Sequence, residues 1–280
     1  MARKILSATL TAFAAGVLIA SAPAFAQQVG SKEYTPTVGQ PGKDVVWVPT
    51  PDEVVERMLR MAQVTSKDIV YDLGSGDGRT VIAAQKKFGA KAKGIEFNPD
   101  MVELSRRNAA REGANVEFIR GDVFAENFSE ATVITLYLLP SLNIKLRPKL
   151  LDMKPGTRIS SHQFTMEDWE PDEVSDFDWR RAYHWIVPAK VQGTWTLEAA
   201  GGRYELELSQ KFQKIEGTVR MDKLKAGIRE PKLRGDRIWF AFIDQQGVRR
   251  EFEGTVSGAR IEGSFRPDSG AEGRFTATRK

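Results

Sequence analysis

The chain contains no cysteine and only two histidines, His162 and His184, among its 280 residues. A disulfide framework, a cysteine nucleophile and a zinc site built from cysteine and histidine are therefore excluded. No G-x-S-x-G turn occurs, so the usual signature of Ser-His-Asp hydrolysis is missing as well. We expect a protein without a metal centre.

The first 26 residues have the pattern of an export signal. Arg3 and Lys4 precede an uncharged stretch at residues 5–20, and an Ala-Phe-Ala sequence at 24–26 supplies a small-x-small cleavage site. An uncleaved membrane anchor is the alternative, but the apolar stretch is shorter than the roughly 20 residues that span a bilayer. We expect cleavage, no stable transmembrane segment afterwards, and an exported protein in the periplasm or another extracytoplasmic compartment.

The remaining chain is only mildly basic. Removing the signal takes away Arg3 and Lys4 and lowers the formal net charge from +4 to +2. The basic pairs at 86–87 and 106–107 lie in stretches of helical pattern, where such pairs are typical of a solvated face. We therefore predict no nucleic-acid partner.

Three further parts follow the signal. Residues 27–45 are rich in glycine, proline, serine and threonine, which predicts an extended or mobile arm. Residues 46–190 are expected to form an α/β domain and residues 191–280 an all-β domain. At the start of the first helix, Thr50, Pro51 and Glu53 have the pattern of a capping box with a proline at the first helical position.

Strands and helices alternate in the α/β part. This βαβ order predicts a Rossmann-like parallel sheet with helices on both faces, and a ligand beyond the carboxyl ends of its first strands. The predicted strands cover residues 69–73, 92–97, 116–120, 132–138, 158–164 and 181–187, and the predicted helices between them cover 80–88, 100–112 and 142–151.

The last third of the chain has no helical period. Alternating strands such as 204–208 and 238–242 are separated by turn signals such as Gly235-Asp236 and Gln246-Gly247. This spacing predicts a small antiparallel barrel or sandwich. Such a domain either holds a protein partner on its outer face or encloses an apolar ligand.

The most informative segment is a buried strand that ends in Asp72 and continues as Leu-Gly-Ser-Gly-Asp-Gly-Arg79. Its glycines let the backbone approach a ligand closely before a helix begins. Glu96 ends the next predicted strand, where a carboxylate can accept hydrogen bonds from both hydroxyls of a ribose. Asp122 follows the third strand, at a position suited to the edge of an adenine.

Dinucleotide binding uses the same ribose acid, but its fingerprint is G-x-G-x-x-G and this chain has G-x-G-x-G. Carboxylates at Asp72 and Asp77 would repel two phosphates, whereas they suit the ammonium and sulfonium of S-adenosylmethionine (SAM). We therefore predict SAM as the cofactor. The predicted cofactor site consists of Asp72, Gly74, Ser75, Gly76, Asp77, Glu96, Asp122 and Val123.

These motifs resemble the binding motifs of class I, seven-strand SAM-dependent methyltransferases. Val-Pro-Thr-Pro at 48–51, Phe-Gly-Ala at 88–90 and Gly-Ile-Glu-Phe-Asn-Pro at 94–99 are similar to a family of protein lysine methyltransferases. That family includes the enzymes acting on the adenine nucleotide translocase and on the c-ring protein of ATP synthase. The resemblance covers about residues 46–170 and implies lysine methylation, with the segment at 47–51 closing over the site.

The methyl acceptor is expected beyond the fourth strand, where methyltransferases bind it. Candidate acceptor-site residues are Trp47, Tyr137 and Pro140, with Leu138 and Trp169 as further apolar walls. His162 ends the fifth strand and either assists deprotonation or serves as a structural histidine. No general base is assigned.

Two alternatives to lysine methylation stay open. One is a methyltransferase for a small or lipid-like acceptor such as a quinone, which the all-β domain would deliver. The other is an exported binding protein whose fold has lost catalysis, since the sequence does not say how SAM reaches an extracytoplasmic site.

Overall fold

The computed structural model describes residues 34–199, 202–222 and 224–280. The predicted export signal and the first residues of the predicted arm, 27–33, lie outside the described residues. Within the described ranges, no helix combines the length and apolar character needed to cross a membrane.

Two sheets organise this part of the chain. The first has seven strands in the order β3-β2-β1-β4-β5-β7-β6 and is accompanied by four helices. Its elements are α1 (Asp52–Met61), β1 (Ile69–Leu73), α2 (Arg79–Phe88), β2 (Lys91–Glu96), α3 (Pro99–Glu112), β3 (Glu117–Arg120), β4 (Val133–Leu136), α4 (Pro140–Leu151), β5 (Arg158–His162), β6 (Glu173–Phe177) and β7 (Arg180–Ile186).

The second sheet has nine strands in the order β11-β10-β9-β8-β16-β15-β14-β13-β12. These strands are β8 (Gly193–Ala199), β9 (Gly202–Lys211), β10 (Lys214–Met221), β11 (Leu224–Gly227), β12 (Arg229–Arg234), β13 (Arg237–Ile243), β14 (Arg249–Ser257), β15 (Arg260–Pro267) and β16 (Gly273–Arg279).

The first sheet confirms the predicted α/β class. Strands β1 to β5 run parallel, and alternate residues of each strand enter separate cores. Val70 and Val133 pack with α1, α2 and α3, whereas Tyr71 and Ile134 pack with α4 on the opposite face. Helices therefore cover both faces, and the carboxyl ends of the parallel strands meet at one edge.

Two local predictions were wrong. The sheet is mixed and not wholly parallel, because β7 runs antiparallel to β5 and a missed strand, β6, pairs with β7. Strand β6 is an exposed edge strand with acidic residues, so it carries little apolar signal. The capping box is absent, because α1 begins after Pro51 without a side-chain cap and the buried Thr50 hydroxyl contacts His162 at 3.1 Å instead.

The second sheet is antiparallel and nearly closed, which confirms the predicted all-β architecture. Its end strands β11 and β12 follow one another in the chain, and Ile228 between them donates a backbone hydrogen bond to Gly217 of β10. The interior is filled by stacked and edge-on phenylalanines, among them Phe240, Phe252 and Phe275. This packing removes the support for an apolar ligand enclosed in the barrel.

Phe212, at the turn between β9 and β10, joins the two sheets. Its ring stacks on Trp169 with centroids 5.9 Å apart, and Arg147 of α4 lies over its other side. Trp169 is fully buried and accepts, through its carbonyl, a hydrogen bond of 2.8 Å from the Trp185 indole. The turn therefore acts as an aromatic plug in the core of the first sheet.

We predict that Phe212→Ala lowers the free energy of unfolding by about 2 kcal/mol, because a half-buried ring loses its packing and leaves a void beside Trp169. Urea unfolding followed by circular dichroism measures this. Leu224→Ala, at an exposed position of β11, is the control and should change stability by less than about 0.5 kcal/mol. Equal effects of the two substitutions would contradict the plug.

Candidate active site

A cavity of about 630 Å³ opens at the carboxyl ends of β1 to β4. This volume lies in the range of small-molecule sites. Of the predicted site residues, the structure brings the following to the cavity wall: Trp47, Asp72, Gly74, Ser75, Gly76, Asp77, Glu96, Asp122, Val123 and Tyr137. Pro140 is not among the lining residues, since it is the first residue of α4.

The loop after β1 is shaped by three glycines in the left-handed region. Gly74, Gly76 and Gly78 have φ values of 81°, 54° and 82°. A Cβ at Gly76 would lie 2.8 Å from the indole nitrogen of Trp47, so the absence of a side chain lets the arm approach the loop. The loop thus offers bare backbone to the cavity.

Asp72 is a buried carboxyl at the end of β1. The register pairs it with Thr135 of β4, whose hydroxyl donates to its Oδ1 at 2.6 Å. Burial raises the pKa of Asp72 to about 7, an effect that hydrogen bonds from Thr135 and Thr80 oppose and that nearby Asp77 and Glu96 reinforce. A cationic group in the cavity would favour the ionised form of this carboxyl.

Glu96 joins the ends of β1 and β2. Its Oε2 accepts from the Gly76 amide at 3.0 Å, and its Oε1 accepts from the Asn98 amide at 2.9 Å. Each carboxylate oxygen has a second acceptor position, so the two oxygens can still receive hydrogen bonds from a diol. Glu96 therefore organises the glycine loop and retains capacity for a ribose.

Asp122 lies beyond β3 and is bonded to the arm. Its Oδ2 accepts from the Lys43 ammonium at 2.6 Å, and its Oδ1 accepts from the Phe124 amide at 2.9 Å. The hydrogen bond from Lys43 holds the pKa of Asp122 below its usual range. Lys43 also lies over the Phe97 ring, 4.6 Å from its centroid, so the arm crosses the cavity mouth at this point.

The described part of the predicted arm is a folded turn at this mouth. Pro41 and Val46 form a β-bridge, and the Trp47 amide donates to the Gln40 carbonyl at 2.9 Å. These bonds place Trp47 against the glycine loop. The segment from Gln40 to Thr50 thereby forms one wall of the cavity.

Asp77 reaches the cavity wall, but its charge is engaged. Arg79 donates to both of its oxygens, with Nε at 3.0 Å from Oδ1 and Nη2 at 2.6 Å from Oδ2. Arg79 also donates to the Thr50 carbonyl at 3.0 Å, which ties the arm to the loop. The attraction of a cofactor cation to Asp77 is consequently weaker than the sequence alone suggests.

The Ser75 hydroxyl is buried without a hydrogen-bond partner among the described residues. It packs against Gly94, where a Cβ would lie 2.5 Å from its oxygen. An unpaired buried hydroxyl is unfavourable, so a ligand group that bonds to it would be stabilised. Together with Asp72 and Glu96, it gives the cavity polar groups that fit a nucleoside linked to an amino acid.

Aromatic and aliphatic side chains form the side of the cavity near β4. The ring of Tyr137 stacks on Phe164, with centroids 5.9 Å apart, and Leu138 and Leu139 complete this wall. Burial raises the pKa of the Tyr137 phenol, so it is neutral at physiological pH. Trp169 was predicted as a further wall, and that prediction was wrong because its ring is buried in the core behind α4.

His162 lies behind this wall as a structural histidine. Its Nδ1 contacts the Thr50 hydroxyl at 3.1 Å, and its ring lies 4.1 Å from the Tyr137 ring centroid. Burial, with the positive charge of Arg180, lowers the pKa of His162 to about 4. The side chain is neutral at pH 7 and orients Thr50 and Tyr137.

Several lining residues were missed by sequence reasoning, including Lys43, Phe97, Leu139, Leu142 and Phe164. Phe97 directly follows Glu96 and was detectable as part of that motif. Lys43 lies in a segment without any periodic pattern, so only its contact across 79 positions to Asp122 reveals its place.

A seven-strand sheet of this order, with acidic side chains from three neighbouring strand ends on one cavity, defines a SAM-dependent methyltransferase of class I. Comparison with known proteins supports this class. Residues 72–173 match the ANTKMT methyltransferase domain. A solved structure described as an RNA methyltransferase from Salinibacter ruber, in complex with S-adenosylhomocysteine, is 50% identical with a TM-score of 0.51, over 51% of this chain and 96% of that one.

Curated relatives identify the family. A protein-lysine N-methyltransferase of Saccharolobus islandicus is 46% identical over 134 residues, 46% of this chain and 83% of that protein. The human lysine N-methyltransferase named for the c-ring protein of ATP synthase is 34% identical over 132 residues, again 46% of this chain but 56% of that protein. The chain belongs to this protein-lysine N-methyltransferase family, although it spans only about half the length of the human relative.

We predict opposite effects of Asp72→Asn on stability and on cofactor binding. The pKa of Asp72 is raised in the folded state, so between about pH 4 and 7 the folded state binds more protons than the unfolded state and this group's contribution to stability falls as pH rises. The substitution should raise the free energy of unfolding by about 1–4 kcal/mol at pH 8 and by less at pH 5. It should weaken SAM binding at least about tenfold.

Urea unfolding at both pH values and calorimetry with SAM measure these effects. His162 and His184 have pKa values lowered to about 4, so they contribute with the opposite sign, but they cancel in the difference between variant and wild type. A loss of stability that is equal at both pH values would contradict the buried, proton-binding carboxyl.

Proposed function

We propose that this chain transfers a methyl group from SAM to the side-chain amine of a lysine in a protein substrate. The observation that carries the proposal is the 46% identity to a protein-lysine N-methyltransferase across 83% of that relative. The cavity adds a chemical argument, because it joins a polar half suited to the cofactor and an apolar half suited to an uncharged amine.

The polar half suggests how the cofactor is held. Glu96 retains acceptor positions for the ribose hydroxyls, and Asp72 with the bare backbone at Gly74 faces the amino-acid end. Asp122 and Val123 lie where a base would stack and hydrogen-bond beyond β3. When bound, SAM supplies an electrophilic methyl group on a sulfonium, and the protein mainly orients the acceptor and excludes water.

The apolar half favours a neutral acceptor amine. A lysine has to lose a proton before it can act as a nucleophile, which costs about 4–5 kcal/mol at pH 7 in water. Desolvation between Tyr137, Leu139 and Phe164 lowers the pKa of an amine placed there. No group needs to act as a strong base, which agrees with a buried His162 that is already bonded to Thr50.

RNA is the second candidate acceptor, because the Salinibacter ruber neighbour is described as an RNA methyltransferase. The cations around the cavity argue against it. Lys43 is paired with Asp122, Arg79 with Asp77 and Arg180 with Asp178. These ion pairs leave little unbalanced positive charge for a phosphate backbone.

Labelled SAM distinguishes the acceptors. We predict that the purified chain, mixed with separate protein, RNA and lipid fractions of an envelope extract, places label in protein, and that mass spectrometry finds the methyl group on a lysine amine. Label confined to RNA or to the solvent-extractable lipid would contradict the proposal.

Glu96→Ala is the matched inactive variant. Loss of its acceptor oxygens should weaken SAM binding about 10- to 100-fold and reduce labelling accordingly. Glu117→Ala removes an exposed acid on β3 that is paired with Lys93 and lies outside the cavity. This control should retain both binding and transfer.

We also propose that the chain is exported, on the basis of Arg3, Lys4, the uncharged stretch at 5–20 and the cleavage pattern at 24–26. Expression of the full chain in a bacterial host should yield a processed protein that begins at Gln27 and is released with the periplasmic fraction. Ala26→Leu should block processing. A full-length wild-type protein in the cytoplasmic fraction would contradict export.

A further inference from the structure

Trp179 is the most exposed large apolar side chain of the described residues, with 99% of its surface open to solvent. It lies in the turn of the hairpin formed by β6 and β7. Phe177 and Arg180 are paired across the hairpin, so the turn consists of Asp178 and Trp179 alone. Within the described part of the chain, no ring contact, cation contact or hydrogen bond explains this position of the indole.

The backbone of this turn is unfavourable for its residues. Asp178 and Trp179 have φ values of 45° and 62°, in the left-handed region. Two-residue turns of this kind strongly favour Asn-Gly or Asp-Gly, and a bulky residue with positive φ is strained. Folding therefore gains nothing from tryptophan here, neither through burial nor through backbone preference. A binding role accounts for both unfavourable features.

The hairpin projects at the same edge of the sheet as the cavity. Strand β7 runs antiparallel to β5, with Ala182 opposite His162, and the Gln163 amide donates to the Arg181 carbonyl at 2.7 Å. Trp179 is three residues beyond Ala182, so it extends about 10 Å past the end of β5. Phe164, the next residue after Gln163, forms part of the acceptor-side wall.

The surface around Trp179 is apolar and electrically balanced. Of the nine exposed large apolar side chains in the described ranges, seven lie at the cavity mouth or on this hairpin, and those seven are Val46, Val48, Phe97, Leu139, Val174, Phe177 and Trp179. The hairpin's ions neutralise one another, since Arg180 pairs with Asp178 and Arg181 with Asp176. A partner with apolar side chains fits this surface better than an anionic one does.

We propose that Trp179 and Phe177 form a docking surface for the protein substrate, binding apolar side chains that flank the acceptor lysine. This inference rests on the proposed lysine methylation. The flanking segment would contact the hairpin while the lysine enters between Tyr137 and Phe164. Because the contact lies away from the methyl group, it should influence substrate affinity and leave the transfer step unchanged.

Short peptides with one central lysine test this surface, with flanks of leucine and phenylalanine in one set and of serine and glycine in the other. Trp179→Ala should raise the KM for the apolar set about tenfold, with kcat, SAM affinity and the polar set unchanged. Trp239→Ala is the matched control, because that tryptophan lies half-buried on the outer face of the barrel between Lys232 and Arg237. It should leave the KM for both sets unchanged.

Trp179→Gly provides a second measurement that does not depend on a loss of folding. Glycine relieves the left-handed strain, so this variant should show a raised Tm together with the same increase in KM. An unchanged KM for the apolar set in both Trp179 variants would overturn the docking surface while leaving lysine methylation intact. Absence of lysine methylation by the wild type in both peptide sets and in extract protein would overturn both.

Lipid vesicles separate this surface from a membrane anchor. Vesicles of neutral and of anionic phospholipid should bind wild type and Trp179→Ala equally weakly in a sedimentation assay. Binding that requires Trp179, combined with an unchanged KM for the peptides, would assign the hairpin to a membrane and overturn the docking of protein.

Discussion

The candidate site depends on the burial of one carboxyl group. Asp72 ends β1 inside the protein, with Thr135 donating to it and two further acids nearby, and its pKa is consequently raised to about 7. The folded protein accommodates an acid that is partly protonated at neutral pH. A cation in the cavity stabilises the ionised form, so binding of a positively charged cofactor is coupled to the loss of a proton.

The rest of the site is arranged around that carboxyl. Positive φ values at the glycines turn the chain sharply after β1, and Glu96 fixes the turn through the Gly76 amide. The arm then closes the opposite wall through Lys43 on Asp122. Each of these contacts joins the ends of different strands, so the cavity exists only when the parallel sheet is formed in register.

Much of this arrangement was predictable because the motif follows directly from strand geometry. Asp72, Glu96 and Asp122 each end or follow a strand of the parallel sheet, and parallel strands bring their carboxyl ends to one edge. The missed features depend on contacts remote in sequence. Strand β6 has an acidic, exposed sequence, Trp169 is covered by a turn of the second sheet, and the Thr50 hydroxyl is drawn to His162 rather than to a helix end.

Proton release on SAM binding tests the central claim most directly. Calorimetric titrations near pH 6, in buffers with different enthalpies of ionisation, measure how many protons leave the complex. The account predicts release of a substantial fraction of one proton in wild type and a loss of that release in Asp72→Asn at SAM concentrations that saturate the variant. Binding of SAM without proton release, or no binding at millimolar SAM, would contradict it.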